Sequence, residues 1–251
     1  MNAVKRVLGY LYFAYGIVLF ILTMLIVFIP IWLTSLLPEP SRSKVLHPIF
    51  KGWMGIFMPL VFCPVSRKGK KHFTKGENYV VICNHNSLVD IPVSSPWIPG
   101  PNKTLAKVEM AKIPLFGVIY KAGSILVDRK KGGSRRESFT LMQNTLDHHL
   151  HLCLYPEGSR NKTDKPLQAF YDGAFITAIK AQRPIMPALI FNTGTILPHN
   201  VKLWARPKRI HFHFLAPVAT QGLTLADLPA LKEKVHQLME SYYAANQQAL
   251  S

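Results

Sequence analysis

The feature that most constrains the fold is an uncharged stretch at the N-terminus, from Val7 to Leu37. It is long enough to cross or enter a bilayer as a helix. Tyrosines lie near one end and Trp32 near the other, as in interfacial aromatic belts. A signal peptide fits poorly, because the stretch is longer than a typical signal core and Leu36-Leu37-Pro38 is not a small-residue cleavage site.

A second apolar stretch, Val45 to Val65, is interrupted by Pro48, Lys51 and Pro59. These interruptions favour a shallow or re-entrant helix over a clean span. Basic residues flank the first stretch on both sides, and the residues from Ser41 to Phe73 include no acidic one. Such segments stay on the cytoplasmic face. We therefore predict that residues 1–65 form a membrane-inserting helical hairpin, with a single span as the alternative.

The chain is strongly basic, with 30 Lys and Arg against 13 Asp and Glu and a formal charge of +17. This balance predicts an anionic partner. The N-terminus favours a phospholipid bilayer and argues against nucleic acid. Cys63, Cys83 and Cys153 stand far apart without a C-x-x-C pair. Neither a zinc site nor a disulfide framework is indicated, and we expect no metal.

Past Phe73, short apolar runs alternate with helical stretches, which predicts an α/β layer fold. The expected strands are Asn78 to Cys83, Ser124 to Val127, His151 to Tyr155, Ile185 to Phe191 and Arg209 to Leu215. We take residues 66–251 as one catalytic domain.

Two helices follow from capping and periodicity. Ser134-Arg135-Arg136-Glu137 matches a capping box and opens a helix through about Leu150. Asp227 and Pro229 start a last helix. The apolar residues that recur along this last helix are expected to pack in the core: Leu231, Val235, Leu238, Met239 and Tyr242.

Polar residues directly follow the first predicted strand, in the segment from Asn84 to Asp90. His85 and Asp90 give a base and its orienter in one short piece of chain. The carboxylate can hold one imidazole nitrogen and leave the other to take a proton. The segment therefore predicts general-base chemistry, provided that suitable companions accompany it.

Three further segments place special residues at strand ends, where an open α/β sheet presents its site. Gly123 to Arg129 is a strand that delivers an arginine, and Tyr155 to Arg160 is a strand followed by a turn with a carboxylate, a glycine and a guanidinium. Ile185 to Ala188 is apolar and contains Pro187.

In this order the segments resemble the four motifs of the PlsC-like glycerophospholipid acyltransferases: Asn-His-x4-Asp, Gly-x-Ile-x-x-x-Arg, Phe-Pro-Glu-Gly-Thr-Arg and apolar-Pro. The resemblance covers roughly residues 50–220. It implies a mixed central sheet flanked by helices, as in glycerol-3-phosphate acyltransferase-like folds. It also implies transfer of a fatty acyl group from acyl carrier protein (acyl-ACP) or acyl-CoA, as co-substrate and without a cofactor, to the sn-2 hydroxyl of lysophosphatidic acid. The product would be phosphatidic acid, made at the cytoplasmic face of a bacterial inner membrane.

The resemblance also implies a role for each motif residue. His85 is expected to be the general base, with Asp90 fixing its tautomer. Lys107, Arg129 and Arg160 are expected to bind the acceptor phosphate, and Glu157 and Gly158 to shape the acceptor pocket. The backbone near Gly158 or Pro187 could support an oxyanion. Gly123, which opens the second motif, is also expected among the substrate-binding residues.

One departure from the family pattern bears on the acceptor. Tyr171 and Asp172 stand where many relatives have two lysines. If this loop faces the headgroup, another lysolipid, such as an aminoacyl lysolipid, becomes the alternative acceptor.

Two other classes of protein also stay open. One is a serine esterase that uses Ser87 or Ser159, although the chain lacks a G-x-S-x-G elbow. The other is a basic membrane-surface module without enzymatic activity.

Overall fold

The protein is described by a computed structural model that covers residues 3–128, 134–163 and 165–250. Its helices are α1 (Ala3–Thr34), α2 (Ser41–Leu60), α3 (Asp90–Trp97), α4 (Phe116–Gly123), α5 (Ser134–Asp147), α6 (Gly173–Ala181), α7 (Thr193–Ile196) and α8 (Leu228–Leu250). Its strands are β1 (Val65–Lys68), β2 (Val80–Cys83), β3 (Asn102–Lys107), β4 (Ser124–Val127), β5 (His151–Leu154), β6 (Ile185–Phe191) and β7 (Ile210–Phe214).

Within these ranges the strands form one sheet in the order β1-β7-β6-β2-β5-β3-β4. All neighbours pair in parallel except β6 with β7. The sheet is therefore mixed, and the predicted α/β fold with a mixed central sheet is confirmed. The parallel block from β6 to β4 brings its carboxyl ends to one edge, which is where open α/β sheets carry their sites.

Two apolar layers cover the two faces of the sheet. Successive residues of a strand point to opposite faces, so Val81 and Cys83 of β2 face one layer and Val80 and Ile82 the other. The first layer contains residues of α1, α2, α3 and α4, and the second contains residues of α5, α6 and α8. The N-terminal helices thus share a continuous core with the sheet.

The predicted helical hairpin is present as α1 and α2. The start of α1 meets the end of α2, where the Tyr15 hydroxyl donates to the Leu60 carbonyl at 2.9 Å. The turn between the helices is tied to the sheet by an ion pair of Glu39 with Lys103 at 2.7 Å. In the described ranges, α1 is the one helix long and apolar enough to cross a membrane by length and composition. The domain boundary at residue 65 stays a prediction.

Two strands escaped the sequence prediction, β1 and β3. Both carry polar residues along their length, and β1 lies at an edge of the sheet. Helix α5 ends at Asp147, earlier than predicted, and the side chains of Ser134 and Arg135, on which the predicted capping box depends, lie outside the described part. A capping box does occur at Thr224, ahead of α8.

The predicted core face of the last helix needs a correction. The buried residues of α8 are Leu231, Val235, Met239 and Tyr243, which recur at a spacing of four. Leu238 is 38% exposed, and its inclusion in the core was wrong. A helix turns 3.6 residues per turn, so 238 and 239 lie about 100° apart and cannot both face the sheet.

Neighbouring substitutions in α8 test this packing. We expect Met239→Ala to lower the free energy of unfolding by about 3 kcal/mol, because a fully buried side chain leaves a cavity. Leu238→Ala should cost less than about 1 kcal/mol. Denaturant unfolding of both variants measures the difference. Equal losses would contradict the helix orientation described.

Candidate active site

The centre of the site is the carboxylate of Asp90, in the first turn of α3. One of its oxygens, Oδ2, lies 2.8 Å from His85 Nδ1 and accepts backbone N–H groups of Asn86 at 2.6 Å and Ser87 at 2.7 Å. Asp90 is fully buried, whereas the side chain of His85 is 14% exposed. The loop after β2 therefore wraps around the Asp90 carboxylate. His85 and Asp90, the predicted pair, are in contact.

A second aromatic ring fixes the plane of the imidazole. Tyr155, directly after β5, stacks on His85 with ring centroids 4.3 Å apart and planes 28° apart. The Tyr155 hydroxyl is itself held 2.8 Å from Ser94 Oγ on α3. Desolvation raises the pKa of the Tyr155 phenol, so it stays neutral. With Nδ1 directed to Asp90, Nε2 is the nitrogen left to exchange a proton.

Glu157 joins two loops of the site. Its Oε1 accepts the His85 backbone N–H at 2.8 Å and its Oε2 accepts the Gln168 backbone N–H at 2.9 Å, and the side chain is 2% exposed. Burial raises the pKa of this carboxyl to about 7, against the opposing effect of the two amide hydrogen bonds. Glu157 thus braces the backbone of the histidine.

Two asparagines add further braces that sequence reasoning missed. Asn84 exchanges two hydrogen bonds with the backbone of Ile190 in β6, at 2.7 and 3.0 Å, so its carboxamide extends the strand ladder by one step. Asn161 donates its backbone N–H to the His85 carbonyl at 2.6 Å. The position of Asn84, directly after a buried strand and before His85, was the available signal for the first brace.

Two of the three predicted phosphate-binding cations, Lys107 and Arg160, lie at or after the ends of strands at the same edge of the sheet. Lys107 is exposed at the end of β3, and Arg160 is half-buried next to Asn161, the residue bonded to His85. No described residue forms a hydrogen bond or ion pair with the Arg160 guanidinium. Arg129 lies outside the described residues.

The remaining predicted residues have backbone or packing roles in the structure. Gly158 adopts φ +68° and its N–H donates to the Tyr155 carbonyl at 3.0 Å, which closes the turn that carries Glu157. Gly123 ends α4, where a Cβ atom would lie 2.6 Å from the Phe50 ring. Pro187 is buried in β6 and has no N–H to offer an oxyanion.

Tyr171 and Asp172, the two residues that depart from the family pattern, have different surroundings in the structure. Tyr171 is 69% exposed. Asp172 forms a 2.7 Å ion pair with Lys232 of α8, and both side chains are partly solvent-exposed. The negative charge of Asp172 is therefore compensated within the protein.

Comparisons with known proteins agree with one another. Residues 64–191 match the family model described as Acyltransferase. The mouse protein "1-acyl-sn-glycerol-3-phosphate acyltransferase alpha" is 32% identical over 177 residues, covering 70% of this chain and 62% of the mouse protein. The "1-acyl-sn-glycerol-3-phosphate acyltransferase" of Haemophilus influenzae is 26% identical over 194 residues, covering 76% and 79% of the two chains. The chain thus spans less than two thirds of its mouse relative.

A solved structure shares the fold. The crystal structure of the 1-acyl-sn-glycerophosphate (LPA) acyltransferase PlsC from Thermotoga maritima superimposes with a TM-score of 0.78 at 19% identity, over 98% of this chain and 97% of the other. The agreement includes the N-terminal helices, since almost the whole chain is covered.

The raised pKa of Glu157 predicts a pH dependence of stability. The unfolded carboxyl ionises near pH 4.5 and the folded one near pH 7, so the native state binds more protons in that window. Stability should fall by about 3 kcal/mol as the pH rises from 4.5 to 7, relative to Glu157→Gln, which cannot ionise. Unfolding of both proteins across this range measures the difference. A constant gap between the two curves would refute the assignment.

Proposed function

Because the chain belongs to the acyltransferase family, we propose that it moves a fatty acyl group from an acyl thioester to the sn-2 hydroxyl of lysophosphatidic acid, giving phosphatidic acid. The observation that carries this proposal is the contact of His85 Nδ1 with Asp90 Oδ2 at 2.8 Å. Both relatives described above are named 1-acyl-sn-glycerol-3-phosphate acyltransferases.

The chemistry needs a base and no protein nucleophile. His85 Nε2 removes the proton of the lysolipid hydroxyl while the hydroxyl oxygen attacks the thioester carbonyl. The tetrahedral intermediate then collapses, the carbon–sulfur bond breaks, and the imidazolium returns the proton to the departing thiolate. Asp90 stabilises the imidazolium between the two steps and holds it in place for the second.

The serine esterase alternative finds little support. Ser87 is fully buried, its Oγ donates to the Leu197 carbonyl at 3.2 Å, and its N–H is bound to Asp90. A hydroxyl in this position has no path to a substrate carbonyl. Ser159 lies on the exposed turn after Glu157 without the strand-to-helix elbow that activates a serine in hydrolases.

The positions of Arg160 and Lys107, at or after the ends of strands at one edge of the sheet, support a lysophosphatidic acid acceptor. A planar guanidinium suits bidentate contact with a phosphate, and the ammonium adds a point charge. The ion pair of Asp172 with Lys232 supports the same acceptor over an aminoacyl lysolipid, since it leaves no uncompensated negative charge there for a cationic headgroup.

The donor is acyl-ACP or acyl-CoA, either of which is anionic and suits a chain of net charge +17. We place the enzyme at a bacterial inner membrane with its site facing the cytoplasm. The exposed apolar surface of α1 and the acid-free segment from Ser41 to Phe73 support this location.

Removing the base tests the mechanism. We expect His85→Ala to reduce acyl transfer to lysophosphatidic acid about a thousandfold or more, because no other group in this position can take the proton. His149→Ala, at an exposed histidine after α5, is the matched control and should keep full activity. Product masses from both donors and a panel of lysolipids provide the measurement. Retained turnover in His85→Ala would exclude it as the base.

Replacing the guanidinium tests the acceptor. Arg160→Ala should raise the KM for lysophosphatidic acid by about 10- to 100-fold and change the KM for the donor little. Lys162→Ala, at an exposed lysine two residues further on, is the control. Equal effects on both substrates, or a larger effect on an uncharged acceptor, would remove Arg160 from phosphate binding.

A further inference from the structure

Three large apolar residues have a backbone conformation that such residues rarely adopt. In the described ranges, positive φ angles occur at Phe62 (54°), Leu115 (59°) and Leu203 (57°). Such values are unusual for bulky side chains. Instead of being buried, the three side chains are 66%, 45% and 67% exposed. Each combines a strained backbone with an apolar group in solvent.

Two of these conformations have a defined cause. After α2, the N–H of Cys63 bonds to the Met58 carbonyl at 2.8 Å and that of Phe62 to the Pro59 carbonyl at 2.9 Å. This is a Schellman motif with phenylalanine where glycine is usual. Leu115 is the central residue of a γ-turn, because the Phe116 N–H bonds to the Pro114 carbonyl at 2.6 Å. Glycine would fit either position without strain.

All three residues lie in segments that pack on α1. The Val61 carbonyl, next to Phe62, accepts the Tyr12 hydroxyl. The ring of Phe116, next to Leu115, lies 6.3 Å from that of Phe20. The remaining contact involves Trp204, next to Leu203.

The Trp204 contact is the closest of the three. Its indole fills the space beside Gly9, where a Cβ atom would lie 1.7 Å from the ring nitrogen, and that nitrogen donates to the Lys5 carbonyl at 3.4 Å. The Ala205 N–H also donates to the Gly9 carbonyl at 3.2 Å. The loop that carries Leu203 is thereby fixed against the first turns of α1.

These contacts also limit the orientation that α1 can take relative to a membrane. Its first turns are held by Trp204, and the turn after its last residue is held to the sheet by Glu39 and Lys103. A helix of 32 residues held at both ends against one domain lies along that domain. Its exposed apolar side chains, among them Leu11, Val18 and Ile26, therefore extend along the surface of the protein. This arrangement suits a helix lying in one leaflet better than one crossing the bilayer.

We infer that Phe62, Leu115 and Leu203 insert into the same leaflet as α1 and hold the catalytic domain against an anionic phospholipid surface. This inference rests on the membrane location proposed above. Exposed cations accompany two of the three residues: Lys202 precedes Leu203, and Lys112 precedes the Ile113-Pro114-Leu115 turn. Apolar side chains with neighbouring lysines are suited to the boundary between acyl chains and anionic headgroups.

Glycine replacement separates this role from a role in folding. We expect Phe62→Gly, Leu115→Gly and Leu203→Gly to keep or raise the thermal midpoint, because each relieves a positive φ. Each change should weaken partitioning onto vesicles of equal parts phosphatidylglycerol and phosphatidylcholine by about tenfold. The triple variant should lose at least about a hundredfold.

Two controls accompany this test. His149→Gly replaces an exposed polar residue with φ 56° after α5 and should leave partitioning unchanged. Acyl transfer to an acceptor dispersed in detergent should also be unchanged in the triple variant, since its substitutions lie outside the catalytic pair and its braces.

The outcomes distinguish the two proposals. If the unsubstituted protein does not bind the vesicles, the membrane location itself fails. If it binds and the triple variant binds equally well, the location stands and the insertion of these three residues is refuted. If the protein instead dimerises in buffer, and the triple variant abolishes the dimer without affecting vesicle binding, the surface is an interface between copies and the inference is overturned.

Discussion

The arrangement of the site depends on one carboxylate oxygen, Asp90 Oδ2. It accepts the imidazole N–H of His85 and the backbone N–H groups of Asn86 and Ser87, so a single buried charge sets both the shape of the loop and the tautomer of the base. Glu157, which follows the neighbouring strand β5, stabilises the same loop by accepting the His85 backbone N–H. Substitution of either acid would therefore disturb the loop geometry as well as the local charge.

The sequence was most informative where apolar runs are continuous. Strands β2, β4, β5 and β6 were predicted because they are apolar along most of their length, and β7 because apolar residues alternate with histidines along it. β1 and β3 were missed because polar residues interrupt their pattern. Pairing with β7 defines β1 as a strand, and pairing with β4 and β5 defines β3. In α8, composition could not distinguish Leu238 from Met239, since both are apolar and adjacent. The sheet surface determines which one is buried.

At the site, the sequence identified the pair formed by His85 and Asp90, because both lie in one segment. It could not identify partners that meet only in the folded chain. The stacking of Tyr155 on His85 joins β5 to β2, and the hydrogen bonds of Asn84 join β2 to β6. Glu157 was expected to shape the acceptor pocket. In the structure both of its carboxylate oxygens also accept backbone hydrogen bonds, a use that motif spacing does not indicate.

The pairing of β1 with β7 has a consequence for how the chain is synthesised. Residues 65–68 can pair in the sheet only after residues 210–213 have been synthesised. Gly9 can likewise contact Trp204 only after residue 204 has been made. At ribosomal rates this interval lasts on the order of ten seconds or more. Until then the sheet against which the N-terminal helices pack lacks β7. The apolar layer that these helices share with β7 is therefore completed only after most of the chain has been synthesised.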